Sequence, residues 1–182
     1  TAADGTIHGI VGEQGKNRPA GVAGRGAVTL FSYTQAGVLD VSSRQFLPAN
    51  VSGTDFGYSV AITNAGDTVY ASAGMTSVPT IAFLTKVGDD IEMTTITRDD
   101  AGQFGRALAL HRDSRGRILL ATSNRRHENN VGIVFLFERT PAGEFNELAE
   151  LEGQFQQETE YGYSVALGSL GSNTYLLVSA PR

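Results

Sequence analysis

The chain of 182 residues contains no cysteine, so neither disulfides nor thiol chemistry contribute to it. That absence does not fix a compartment, because a well-packed secreted domain can do without disulfides. No stretch approaches the roughly 18 apolar residues that a membrane-spanning helix needs. Charge of one sign is also lacking: the net charge is −5 with both signs mixed along the chain, which argues against a nucleic-acid surface. The start at Thr1 has no charged segment followed by an apolar one, so the chain reads as a mature protein or a fragment. Catalytic signatures are missing too. There is no G-x-S-x-G elbow and no phosphate loop, and His8, His111 and His127 lie far apart. The carboxylate pairs Asp89/Asp90 and Asp99/Asp100 fall in turns, where solvated aspartate is the usual occupant. The expectation is a protein that is not an enzyme.

What the chain does have is glycine, 22 residues of it, and short apolar runs. That texture belongs to many short strands joined by turns. One six-residue signature occurs three times: FGYSVA at Phe56–Ala61, FGRALA at Phe104–Ala109 and YGYSVA at Tyr161–Ala166. A second landmark keeps a tighter beat. The runs GAVTLF, PTIAFL and GIVFLF place Val28, Ile81 and Val134 at equal steps of 53 residues. Two markers repeating in phase predict a repeat architecture.

One unit can be followed from Phe56. FGYSVAIT alternates polar and apolar residues and is followed by the turn NAGD (Asn64–Asp67). TVYASA, PTIAFLTKVG and IEMTTIT read as three further strands, with a turn at Gly88–Asp90. The next unit repeats the plan with FGRALALH, RILLATS, VGIVFLFER and FNELAELEG. In the last run Phe145, Leu148, Ala149 and Leu151 also fit a helical spacing, but the repeat phase argues for a strand. Leu39–Val41, an LDV tripeptide, falls inside the expected fourth strand GVLDVSSRQF. Four antiparallel strands in about 50 residues describe a propeller blade. The expected fold is therefore an all-β propeller. Its pieces are residues 1–55 (strands two to four of a blade), whole blades at 56–103 and 104–160, and residues 161–182 (strands one and two). Within it the aromatic and glycine of each signature serve blade packing.

These residues resemble the FG-GAP repeat, the blade of the integrin α-subunit propeller. FG stands at Phe56-Gly57 and Phe104-Gly105, and YG at Tyr161-Gly162. The second half of the motif is clearest in YLLVSAP (Tyr175–Pro181) and weaker in VYASAGM and ILLATSN, while IHGIVGE (Ile7–Glu13) looks like the same strand of an earlier blade. The resemblance implies a larger, seven-bladed ring that is extracellular or at the cell surface. It also implies a role in adhesion, protein–protein interaction or structural assembly. A lectin-like glycan binder and an accessory domain of a secreted hydrolase are the alternatives. Two whole blades and two partial ones do not close a ring. The partners expected are therefore further blades, from the same longer chain or from another copy, together with other proteins or glycans.

The calcium-binding members of that family carry an oxygen-rich loop between the first and second strands. The matching turns here are poor in carboxylates: Asp67 in the first, Asp113 between Arg112 and Arg115 in the second, none in the third. That pattern argues for the metal-free variety, with no cofactor. The resemblance places ligand contacts on the face that carries the fourth-to-first and second-to-third connections. The two longest such loops are basic, with Lys16, Arg18 and Arg25 in one and Arg125, Arg126 and His127 in the other. They are the candidate partner-binding residues, suited to an acidic protein or a glycan. Asn50-Val51-Ser52 is a glycosylation sequon, which makes Asn50 a candidate glycan carrier if the chain passes through a eukaryotic secretory pathway.

Overall fold

The structure, a computed structural model, describes residues 5–17, 25–45, 56–66, 68–74, 79–98, 103–125, 127, 131–153 and 160–181. Among them there are thirteen strands and no helix. The strands form four antiparallel sheets, each built from strands consecutive in sequence. The first holds β1 (Ile7–Asn17), β2 (Arg25–Tyr33) and β3 (Leu39–Gln45). The second holds β4 (Val60–Ala65), β5 (Thr68–Gly74), β6 (Thr80–Val87) and β7 (Asp90–Thr97). The third holds β8 (Leu108–Arg112), β9 (Ile118–Asn124), β10 (Ile133–Arg139) and β11 (Phe145–Glu152). The fourth is a hairpin of β12 (Val165–Leu170) and β13 (Asn173–Val178). None of these sheets closes on itself among the described residues.

Hairpin chemistry sets the strand ends. Three connections share one five-residue plan: Thr34–Val38, Asp113–Arg117 and Thr140–Glu144. In each, the first residue's carbonyl accepts the N–H of a glycine, Gly37, Gly116 or Gly143, at 3.0 Å. The first side chain then accepts the fifth N–H: Thr34 Oγ1 from Val38, Asp113 Oδ1 from Arg117 and Thr140 Oγ1 from Glu144. A hydroxyl or carboxylate three residues ahead of a glycine is thus a turn with a built-in cap.

The sheets stack face to face in chain order, with β4 against β1, β8 against β4 and β12 against β8. Three apolar layers fill the gaps. Val28, Leu30, Ala82 and Leu84 form the first. Ile81, Phe83, Leu120 and Phe135 lie in the second. Ala109, Ala121, Val134 and Val165 make the third. Strands in the middle of this stack are covered on both faces, and β9 accordingly is buried along its whole length.

The signature residues sit at the corners between sheets. The sequence suggests that FGYSVAIT is strand from its first residue, but β4 begins only at Val60. Phe56 to Ser59 form the corner that leads into it, where Gly57 takes φ +83°, well outside the β region. Gly105 (φ +86°) and Gly162 (φ +83°) do the same. A Cβ on Gly57 would lie 2.6 Å from the Ala27 carbonyl oxygen, so the corner admits no side chain. The aromatic before each glycine plugs the gap: Phe56 and Phe104 are fully buried. Phe104 meets Phe135 edge to face at 5.6 Å.

The ambiguity in FNELAELEG has a physical source. Leu136 pairs with Ala149 and Phe137 with Glu147, so Leu148 is an extra residue in a β-bulge. One inserted residue breaks the period-two alternation and produces the helix-like spacing.

Candidate partner-binding rim

The corner end of the stack gathers the polar side chains that the sheets leave available. The third position of the signature holds Tyr58, Arg106 and Tyr163 in successive units. The Arg106 guanidinium lies over the Tyr58 ring of the preceding unit, 4.3 Å from its centroid. The Arg125 guanidinium lies over the Tyr163 ring of the following unit, at 4.7 Å. Each stack is worth roughly 0.5–2 kcal/mol, depending on how far it is desolvated. In both arginines Nε is buried without an acceptor, so hydrogen bonding to an outside group falls to the two terminal nitrogens. One of these in Arg125 also meets Glu160 Oε2 at 3.5 Å.

Of the residues singled out from the sequence, Arg125 and His127 are both on this rim. Arg125 is largely enclosed, held by Tyr163 and Glu160. His127 Nε2 stands 4.0 Å from Glu152 Oε1. Lys16 lies in β1 and Arg25 opens β2, and the neighbouring pair Asn17–Arg25 joins the two strands there. The side chains of Lys16 and Arg25, and all of Arg18, Arg126 and Asn50, lie outside the described residues. Tyr58, Arg106 and Tyr163 were not among the expected contacts. The signal available for them was the signature itself: its second and sixth positions are constant and its first is always aromatic, whereas its third changes from Tyr to Arg to Tyr.

Below the rim, the edge strands β1, β4, β8 and β12 line a concave cleft of about 510 Å³. Its wall is Gly9–Ile10, Val60–Ile62, Ala109–Leu110 and Val165–Leu167, with Phe31 at one side. Among the described residues its lining is glycine, alanine, branched aliphatic side chains and Phe31.

The turn that matches the calcium loop is satisfied from within. Asp113 Oδ1 accepts the N–H of Arg115 and of Arg117, each at 2.9 Å. Asp113 Oδ2 accepts from Arg117 Nε at 2.7 Å, and the same guanidinium reaches Glu138 Oε2 at 3.3 Å. Burial by itself pushes the Asp113 carboxyl up. The Arg117 and Arg115 hydrogen bonds outweigh it and hold the group below the ordinary aspartate value. Arg112 and Arg115 flank Asp113 in sequence, but it is the Arg117 guanidinium that occupies the carboxylate directly. Among the described residues no three His, Asp or Glu side chains come together as a metal-binding group.

A second charged cluster joins the second and third sheets along their outer strands. Arg98, at the end of β7, pairs with Glu147 and Glu150 of β11 and lies over the Phe135 ring at 4.2 Å. Burial raises the Glu147 carboxyl above the ordinary value, Arg98 opposes that shift, and Glu150 adds to it. The cluster is an internal strap between sheets, since its charges face one another.

No protein-family model matches the chain, and no curated protein matches it either.

Proposed function

We propose that the chain is a run of FG-GAP-type propeller blades acting as a non-enzymatic binding scaffold outside the cell. On this reading it serves adhesion or structural assembly, and its corner rim meets an acidic partner. One observation carries the reading: the three aromatic–glycine corners occupy the same place in successive stacked sheets. At each, a glycine near φ +85° turns the chain into the next innermost strand. A corner that recurs at the entry to successive sheets fits a fold that repeats one blade-like unit. The arginine–tyrosine stacks of the rim favour anionic groups, because a ring-backed guanidinium keeps its forked donors oriented.

The test is adhesion to surfaces coated with the protein. Arg106→Gln and Arg125→Gln each remove a rim charge together with its stack on a tyrosine. The expected result is at least a tenfold loss of cell attachment, measured at a temperature where circular dichroism shows both variants folded. Unchanged attachment by both variants contradicts the rim assignment.

A glycan-binding reading draws on Tyr163, a residue 53% exposed whose ring lies beside Arg125. An exposed ring next to a guanidinium suits a sugar face with an acidic substituent. A glycan array separates the two: binding abolished by Tyr163→Ala supports the glycan ligand, and an array without signal leaves the protein ligand.

A further inference from the structure

Five arginines are part-buried among the described residues, and three of them have carboxylate partners. Arg98 meets Glu147 and Glu150, Arg117 meets Asp113 and Glu138, and Arg125 meets Glu160. Arg106, on the rim, and Arg139 have aromatic rings against the guanidinium and, among the described residues, no carboxylate. Arg139 is the last residue of β10, at the end away from the corners. Ile133 opens the same strand beside Gly132, which packs on the Tyr161 corner. The two ends are about 20 Å apart along the strand.

The Arg139 side chain leaves the third sheet on the face that carries Phe135 and Phe137 and crosses to the second sheet. There its guanidinium lies 5.4 Å from the centroid of the Tyr70 ring and 5.8 Å from that of Phe83. Phe145, the residue opposite Arg139 in the third sheet, meets Phe83 edge to face at 4.7 Å. Nε is buried without an acceptor. The Thr140–Glu144 hairpin backs one terminal nitrogen, since a Cβ on Gly143 would stand 3.2 Å from Nη2. The neighbouring Glu138 is taken by Arg117. Glu92 of β7 and Glu144 of the hairpin are exposed, and neither pairs with Arg139.

We propose that Arg139 is a binding site for one compact oxyanion of the sulfate or phosphate kind, at the foot of the gap between the second and third sheets. A guanidinium keeps its charge when it is drawn partly out of water, because it does not give up its proton. Stacking on rings offsets only part of that desolvation. The rings and the hairpin hold its plane, and with Nε shut in, the donors left are the terminal nitrogens. Such a fork matches two oxygens of a sulfate or phosphate group. Arg98 shows the same gap solving the same problem from within. It also lies on a ring, Phe135 at 4.2 Å, but β11 supplies it with two carboxylates. At Arg139 the bound anion takes the place of those carboxylates. The site lies apart from the corner rim and does not depend on the propeller reading.

Sodium sulfate and sodium phosphate, each titrated into the 182-residue protein against sodium chloride of equal ionic strength, test it. The arginine Nε–H resonances read the site directly. The expected result is a saturable shift of the Arg139 signal with at least one of the two anions, with a Kd on the order of 1 mM or below, while Arg98 and Arg117 stay in place. The thermal midpoint should rise with occupancy beyond the rise in chloride. Arg139→Gln should cut that extra rise at least fivefold. Arg112→Gln, an equal loss of charge at an exposed position, should keep it. An Arg139 signal that moves no more in sulfate and phosphate than in chloride overturns the proposal. So does a response confined to Arg106, which puts the anion on the rim. A midpoint rise kept in full by Arg139→Gln overturns it too, being the general effect of these salts on burial. The resonance titration of the parent decides by itself if Arg139→Gln fails to fold.

Discussion

At the scale of single residues, the corners and one turn carry the account. Gly105→Ala should destabilise the fold by about 1–2 kcal/mol from the left-handed backbone alone. More is expected because its Cβ would stand 3.1 Å from Ile81 Cγ1 and 3.2 Å from Gly74 Cα. Denaturant titration measures it, and a loss below about 0.5 kcal/mol would remove the steric reason for the motif. Asp113 gives a pH dependence. Its folded-state pKa is depressed, so its contribution is present above about pH 4 and is lost as pH falls through the lower folded value. Asp113→Asn keeps an acceptor for the turn and loses the pairing with Arg117. The variant should be less stable than the parent at pH 7, and the gap should narrow as pH drops below 4. A gap independent of pH would show that the carboxylate charge contributes nothing. These roles were legible to different degrees. A glycine after an aromatic, three times over, announces a backbone requirement. The Arg117 partnership did not, because Arg112 and Arg115 are nearer to Asp113 in sequence and only the hairpin geometry selects the more distant Arg117.

At the scale of elements, alternation and turn chemistry made the strands readable, and bulges made them ambiguous. β6 and β10 announce themselves as apolar runs because both of their faces are covered. β11 mimics a helix because Leu148 is an inserted residue. In the first sheet a second irregularity, where Leu30 pairs with Ser43 and Ser32 with Asp40, interrupts β3 in the same way. Contacts between sheets were beyond reach of pattern. The strap from Arg98 to Glu147 and Glu150 spans 49 and 52 residues, close to one repeat, but nothing local marks those charges as partners. Arg98→Ala should cost about 1–2 kcal/mol, since it removes two ion pairs and a stack on Phe135 that are only part-exposed. It should also raise the Glu147 pKa further, because burial then acts unopposed by Arg98. Carboxyl chemical shifts followed through acid titration measure that change, and a pKa that falls or stays put would contradict the strap.

At the scale of the whole molecule, the sheets form a stack whose order follows the chain, and each new sheet is entered through an aromatic–glycine corner. The repeat period was visible in the sequence because the same packing problem is solved three times with the same residue types. The rim was only half visible: basic loops stand out by composition, whereas the pairing of Arg106 with Tyr58 exists only once two units lie side by side. Phe104 joins the scales, being a single side chain buried between the second and third sheets. The central claim is that consecutive units stack through these corners, and methyl-aromatic nuclear Overhauser spectroscopy tests it most directly. The account predicts cross-peaks from the Ile81 methyls to the Phe104 ring and from the Val134 methyls to those of Val165. If those cross-peaks are missing and amide cross-peaks instead join β7 to β8 as neighbours in one continuous sheet, the stacked arrangement is wrong.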